Sequence, residues 1–357
     1  MQPRIRRRSR GFSLVELMVA MTLSLILLGG VIAIFSSSRI TYETNDRMAR
    51  IQESGRFALN SMVRDLRATG YTGCSIRSPL FNALNNNTSV LWNFASAMQG
   101  FDGQGSAFAP TLDTTLLTAS GVNVVRTQNT DVLVVRIPRP GSTLARVIQA
   151  IPNGTEPVVV DAAVQTAFSA NDILMISDCT RRAVFEVTAR TGNSLSHAAS
   201  GTTAPTPGNF TTDLDGAYFE ATPGGGTEVV PMQVIIYYLG KLNTAPASAP
   251  PSLWQRVNGG VSQELVEGVE NLQLAFGETT GANTVTYRKA GDVVTWGNVV
   301  SVNIALLVRS QSEYGTDRDG GTYVLIDSTL GASVTAASDR HLRQVFATVV
   351  SLRNSTL

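Results

Sequence analysis

Apolar residues are unevenly distributed along this chain. From Phe12 to Phe35 the sequence reads FSLVELMVAMTLSLILLGGVIAIF, twenty-four positions in which Glu16 is the single charge. A helix of that length rises about 36 Å, enough to cross a hydrocarbon layer of about 30 Å. Further on the pattern turns periodic. Met48, Ile51, Ala58, Leu59, Met62, Val63 and Leu66 recur at helical spacing, while Asp46, Arg47, Arg50, Gln52, Glu53, Arg56, Asn60, Arg64, Asp65 and Arg67 fill the other face. No proline lies between Pro3 and Pro79, and Gly70 is a suitable stop. The pattern therefore predicts one helix from Phe12 to Thr69, about 85 Å long, with Gly29 and Gly30 as its weak point. Its first half suits lipid and its second half lays an apolar stripe on a folded domain.

After Gly70 short alternating runs take over: Asp131 to Ile137, Val158 to Val160, Ile173 to Ile176, Ala183 to Val187, Gln233 to Leu239, Asn271 to Phe276, Asn298 to Val308 and Gln344 to Leu352. Val300, Val302, Ile304, Leu306 and Val308 alternate with Ser301, Asn303 and Arg309, as a half-buried strand requires. The expected class is α+β, a long N-terminal helix packed on an antiparallel sheet, with a second small sheet built from the middle segment. Three stretches of the exported part, residues 71–357, read as long loops: 81–127, 197–226 and 242–252. Loops of that length serve as binding surfaces or as dispensable insertions.

Charge adds orientation. Lys+Arg 28 against Asp+Glu 27 gives +1, yet Arg4, Arg6, Arg7, Arg8 and Arg10 all precede Gly11, so the rest of the chain is mildly acidic. A basic cluster before the apolar run and the lone Arg39 after it predict a cytoplasmic N-terminus and export of everything downstream. A cleavable signal peptide cut near Ser36 to Ser38 fits less well, because its apolar region is about 7 to 15 residues. With 15% charged residues and no basic patch interleaved with aromatics, direct nucleic-acid binding finds no support.

The string Gly11-Phe12-Ser13-Leu14-Val15-Glu16-Leu17 resembles the processing site of type IV pilins and of type II secretion pseudopilins. Gly70-Tyr71-Thr72-Gly73-Cys74, the run Glu264 to Leu274 and the stretch Arg343 to Asn354 resemble the PilW-type minor pilins, relatives of the J-type pseudopilins. The resemblance implies a type IV pilin-like fold. It divides the chain into a leader at 1–11, a transmembrane and filament-core helix at 12–35, an amphipathic continuation at 36–70 and the globular domain. It also implies that a prepilin peptidase cuts after Gly11 and methylates the new amine on Phe12. The implied role is a minor pilin that joins other minor pilins and the major pilin at an inner-membrane assembly platform, primes the pilus and ends near its tip, beside a tip adhesin. A secretion pseudopilin is the neighbouring alternative; a membrane-anchored periplasmic enzyme or binding protein is the alternative from another class.

The amine freed on Phe12 would be largely protonated at neutral pH. In a staggered bundle Glu16 of one subunit meets the Phe12 amine of the next and satisfies both buried charges, while close packing supplies the remaining drive. The charge pair then sets register.

Cys74 and Cys179 are the only cysteines, and export makes a disulfide between them the natural reading. Closing a loop of about 100 residues contributes up to about 4.7 kcal/mol in the chain-entropy model. His197 and His341 accompany no hydrolase, metalloprotease or phosphate-binding motif and read as solvated surface side chains. Asp213-Leu214-Asp215-Gly216 and Asp317-Arg318-Asp319-Gly320 each resemble half of a calcium loop but lack its closing Glu, and Asp-Gly is a common turn. The expectation is no catalysis, no cofactor and no metal.

Overall fold

The computed structural model describes residues 11–354 apart from 72, 74–78, 118–123, 179, 204, 220–225, 247–248, 282–283, 315–317, 328–329 and 331–332. One helix runs unbroken from Leu14 to Ala68, close to 82 Å at about 1.5 Å per residue. Gly29 and Gly30 do not interrupt it, since no neighbouring group comes within 4 Å to pull the backbone aside. Thr69 is extended and Gly70 adopts φ +77°, so the chain leaves the helix through a left-handed turn that glycine accepts without cost.

Two sheets hold the helix. The larger has eleven strands. Its principal path runs Leu80–Asn82, Arg182–Glu186, Ile173–Ser177, Glu228–Leu242, Val132–Pro138, Met98–Gln104, Ala107–Ala109. Glu228–Leu242 is its spine and also pairs with Ser252–Val257, which continues to Ser262–Glu267. The second sheet is fully antiparallel, in the order Val285–Arg288, Val269–Thr279, Val299–Arg309, Arg343–Ser351.

The predicted alternation is present in the second sheet. Val302, Ile304, Leu306 and Val308 turn inward with Leu272, Leu274 and Phe276, and the helix covers this face with Ile51, Ala58, Met62 and Leu66. Leu133, Val135, Ile137, Ile235, Tyr237 and Leu239 of the larger sheet close the same core. The opposite face of that sheet packs a second cluster around Trp92, Phe101, Val134, Ile236 and Tyr238. A sheet covered on both sides explains why Val132 to Ile137 is buried at every position.

The small sheet expected from the middle segment is present, with Ala189–Thr191, Ser194–Ser196 and Val158–Val159 paired antiparallel, while other middle strands enter the larger sheet. One expectation needs correcting. The stretch 81–127 is less irregular than its composition suggests, because it contains Met98–Gln104, Ala107–Ala109 and Val124–Arg126. Gly100 and Gly103 break the alternation there. A Cβ on Gly100 would meet the Phe276 ring at 2.2 Å, and one on Gly103 would meet the Thr130 carbonyl at 2.3 Å, so close packing excludes the side chains that would have marked a strand.

Buried ionic groups tie the C-terminal strand to its surroundings. Arg343, with no exposed side-chain surface, reaches Glu270 at 2.6 Å, Asp339 at 2.7 Å and Asp319 at 3.1 Å. Burial alone would lower the Arg343 pKa, but hydrogen bonds to Asp339 and Glu270 raise it. The same Arg343 hydrogen bond is the main reason the Asp339 carboxyl sits at about 2.

Candidate assembly helix

Gly11, Phe12 and Ser13 precede the helix in extended or irregular backbone. Ser13 is its N-cap: its Oγ accepts from the Glu16 amide at 3.3 Å and its carbonyl accepts from the Leu17 amide at 3.1 Å. Glu16 therefore sits in the first turn, where the positive end of the helix dipole favours a carboxylate. The three predicted residues Gly11, Phe12 and Glu16 gather at one fully exposed tip, and none of them meets the domain.

Every residue from Leu14 to Tyr42 is exposed, including Leu17, Met21, Ile26, Leu27, Val31 and Phe35. The domain first grips the helix at Ile40, whose carbonyl accepts from the Tyr314 hydroxyl at 2.7 Å. One turn or two further on, the Arg47 guanidinium stacks 5.1 Å from the Tyr314 ring and donates to the Ser312 carbonyl at 3.2 Å. About 39 Å of helix thus projects below the grip, more than enough to cross a bilayer core of about 30 Å.

Higher up, the seat is specific. Gly55 lies under the Phe346 ring, and a Cβ there would come within 2.3 Å of it. Asp65 is buried and accepts from the Tyr237 hydroxyl at 2.5 Å, so the helix is pinned to the spine of the larger sheet. Burial and the neighbouring Asp65 charge both raise the Tyr237 pKa. At the top, the Asn354 side-chain amide donates to the Thr69 carbonyl at 3.0 Å and closes the helix end with the C-terminal segment.

The protein-family comparisons divide along the same lines. The prokaryotic N-terminal methylation motif matches residues 6–32, and the family model described as Type IV Pilus-assembly protein W matches residues 236–354. Over its C-terminal third the chain is similar to the PilW-type pilins. No curated protein matches it. The PilW-type region contains the second half of the spine strand, all four strands of the second sheet and several residues that touch the helix, among them Tyr237, Tyr314, Phe346 and Asn354. The family is a component of pilus assembly and not an enzyme family, and it implies contact with other pilus components. The motif and the apolar helix fit a membrane-anchored, single-pass pilin.

The quoted motifs acquire physical roles. Gly268 has φ +89°, accepts from the Arg309 amide and would clash with the Arg309 carbonyl if it carried a Cβ; it turns the chain from one sheet into the other. The stretch Arg343 to Asn354 supplies the buried guanidinium, the ring over Gly55 and the helix cap. Cys74 and Cys179 lie outside the described residues.

Several calls from sequence change. His197 and His341 are not solvated; both are buried, His197 with Nε2 2.9 Å from the Glu156 carbonyl and His341 with Nδ1 2.8 Å from the Ser310 carbonyl. Loops too polar to read as core fold over them. Asp65, placed on the polar face, is buried because Tyr237 offers it a partner. Asp319 of the second calcium-like string serves Arg343 and the Tyr323 hydroxyl, and Asp213 of the first accepts from the Asp215 amide at 2.8 Å; Asp317 is outside the described residues. Gly55, Tyr314 and Tyr237 were missed altogether, since each acts through a partner far away in sequence.

Proposed function

We propose that this chain is a minor pilin. It stands in the inner membrane with its N-terminus cytoplasmic and its domain periplasmic, is cut after Gly11 by a prepilin peptidase, and is methylated on Phe12. It then joins other minor pilins and the major pilin on the assembly platform, primes pilus growth and remains at or near the tip. The observation that carries this reading is one rigid helix whose lower half is apolar, wholly exposed and tipped by Glu16, while its upper half is built into the domain. A simple anchor has no need of a rod continuous with the domain core, whereas a subunit that stacks side by side does.

The pairing of Cys74 with Cys179 belongs to the same proposal. Their described neighbours touch: a Cβ on Gly73 would come within 2.7 Å of the Ser177 Oγ. Alkylation of the exported protein without reductant should leave both thiols unlabelled.

Mass spectrometry of the mature N-terminus tests the processing step, with N-methyl-Phe12 expected. Glu16→Ala and Gly11→Ala should each cut the number of surface pili at least tenfold while the domain stays folded. A mature chain beginning at Met1 or near Ser38, or normal piliation in Gly11→Ala cells, would overturn the reading.

A further inference from the structure

The C-terminal strand Arg343–Ser351 ends the second sheet and pairs on one side only, with Val299–Arg309. The ladder fixes which groups are used. The Ser310 amide donates to the Leu342 carbonyl and the Leu352 amide to the Val300 carbonyl, so the even-numbered residues bond inward. Val345, Ala347 and Val349 therefore direct their amides and carbonyls away from the sheet. Among the described residues nothing receives them, and Ala347, Val349 and Ser351 are exposed.

This edge also lacks protection. Exposed edge strands are ordinarily kept short or guarded by charge, proline or bulges. The other long edge, Ser262–Glu267, carries Glu264 and Glu267, and Val285–Arg288 is only four residues and ends in Arg288. Between Arg343 and Arg353 there is no charge, no proline and no glycine. Three outward amide–carbonyl pairs in a row, about 6.8 Å apart, match one kind of partner: another extended backbone.

A second copy of the chain does not fit. Antiparallel pairing of two identical edges requires a two-fold axis normal to the sheet, and the helix lies across the sheet face, so the axis would point the two membrane segments in opposite directions. Parallel pairing has no exact two-fold, because outward residues of one copy must fall opposite inward residues of the other.

We propose that the free edge of Arg343–Ser351 is a strand-pairing site for an extended, uncharged segment of a different exported protein. This goes beyond the minor-pilin reading and rests on it only for the envelope setting. The test is amide hydrogen exchange on the full chain, read by mass spectrometry with residue resolution, comparing cell envelopes of the producing strain with the purified protein in detergent. The amides of Val345, Ala347 and Val349 should exchange at least tenfold more slowly in envelopes. Val349→Lys, which adds a guarding charge on an exposed side chain, should restore fast exchange without lowering the thermal midpoint. Ala347→Pro, which removes an outward amide and no ladder bond, should do the same.

Equal exchange in the two samples would overturn the proposal, as would a benzophenone cross-linker at position 347 that joins two copies of this chain. N-methylation of Phe12 is read from the same digest, which separates the failures. Methylated Phe12 with unprotected amides defeats the edge alone; unmethylated Phe12 with protected amides defeats the pilin reading alone.

Discussion

The two halves of the helix are similar in backbone and opposite in circumstance. Leu14 to Phe35 holds an apolar surface exposed at every position, whereas Ile51 to Leu66 buries Ile51, Ala58, Met62 and Leu66 between two sheets. The upper half has a stripe, a polar back and one pinned carboxylate; the lower half has grease on every side and one carboxylate at the tip. A helix apolar all round demands lipid or other helices, and one apolar along a stripe demands a domain. One rod thus satisfies two environments, with Tyr314 at Ile40 marking the boundary.

Truncation should separate the halves most sharply. Met62 is fully buried, so Met62→Ala is expected to cost the domain about 2–5 kcal/mol. Leu27→Ala, at a position 70% exposed, should leave the domain's thermal midpoint unchanged in detergent. Equal losses at both sites, measured by chemical denaturation, would show that the lower half is packed on the domain after all.

Next in size is a dependence on pH that belongs to the seat alone. Asp131 is buried where the two sheets join, its oxygens accepting from the Gly103 amide at 3.0 Å and the Leu274 amide at 2.7 Å. Burial pushes its carboxyl up to about 7, against the lowering effect of those two amides. A folded-state pKa raised above the unfolded value of 3.8 means that the folded form holds the proton more tightly. The stabilisation is complete below about pH 4 and is lost as pH rises towards 7, by up to about 1.4 kcal/mol per pH unit. Asp131→Asn should flatten the thermal midpoint between pH 4 and 7; a profile that keeps its slope in this variant would assign it elsewhere.

Removing the pin comes third. Tyr237→Phe strands the Asp65 carboxylate in the core with only Arg64, at 3.0 Å, beside it, and should cost about 1–3 kcal/mol. The double variant Tyr237→Phe, Asp65→Leu should recover part of that loss. No recovery would mean that Asp65 supports the fold through contacts other than the tyrosine.

The helix itself was legible because its signals are local: unbroken apolarity, then a 3.6-residue period, then Gly70. The strands that alternate, such as Val299–Arg309, were equally legible. What escaped depends on partners distant in sequence. Asp65 looks polar until Tyr237 arrives 172 positions later, and Arg343 looks like a surface arginine until Glu270, Asp319 and Asp339 converge on it. Met98–Gln104 was lost because Phe276 and Thr130 require glycine at Gly100 and Gly103. At the tip, Gly11, Phe12 and Glu16 lie in one short contiguous string, so the resemblance that singles them out needs no partner distant in sequence.

The smallest expected effect uses the same residue in both halves. Gly30 has open space around its Cα, so Gly30→Ala removes the penalty of a helical glycine, about 1 kcal/mol, from a segment that does not touch the domain. The domain's denaturation should not register it. Gly55→Ala gains the same helical preference but drives a methyl to within 2.3 Å of Phe346, whose half-buried ring must then shift. The two contributions oppose each other, leaving a net loss of about 1 kcal/mol with a displaced ring. The pair Gly55→Ala, Phe346→Leu should then be at least as stable as Gly55→Ala alone, because the clash is gone and the preference remains. If Gly55→Ala instead stabilises the domain by itself, the ring is not what requires glycine there, and the close seat of the upper half on the C-terminal strand is looser than its geometry implies.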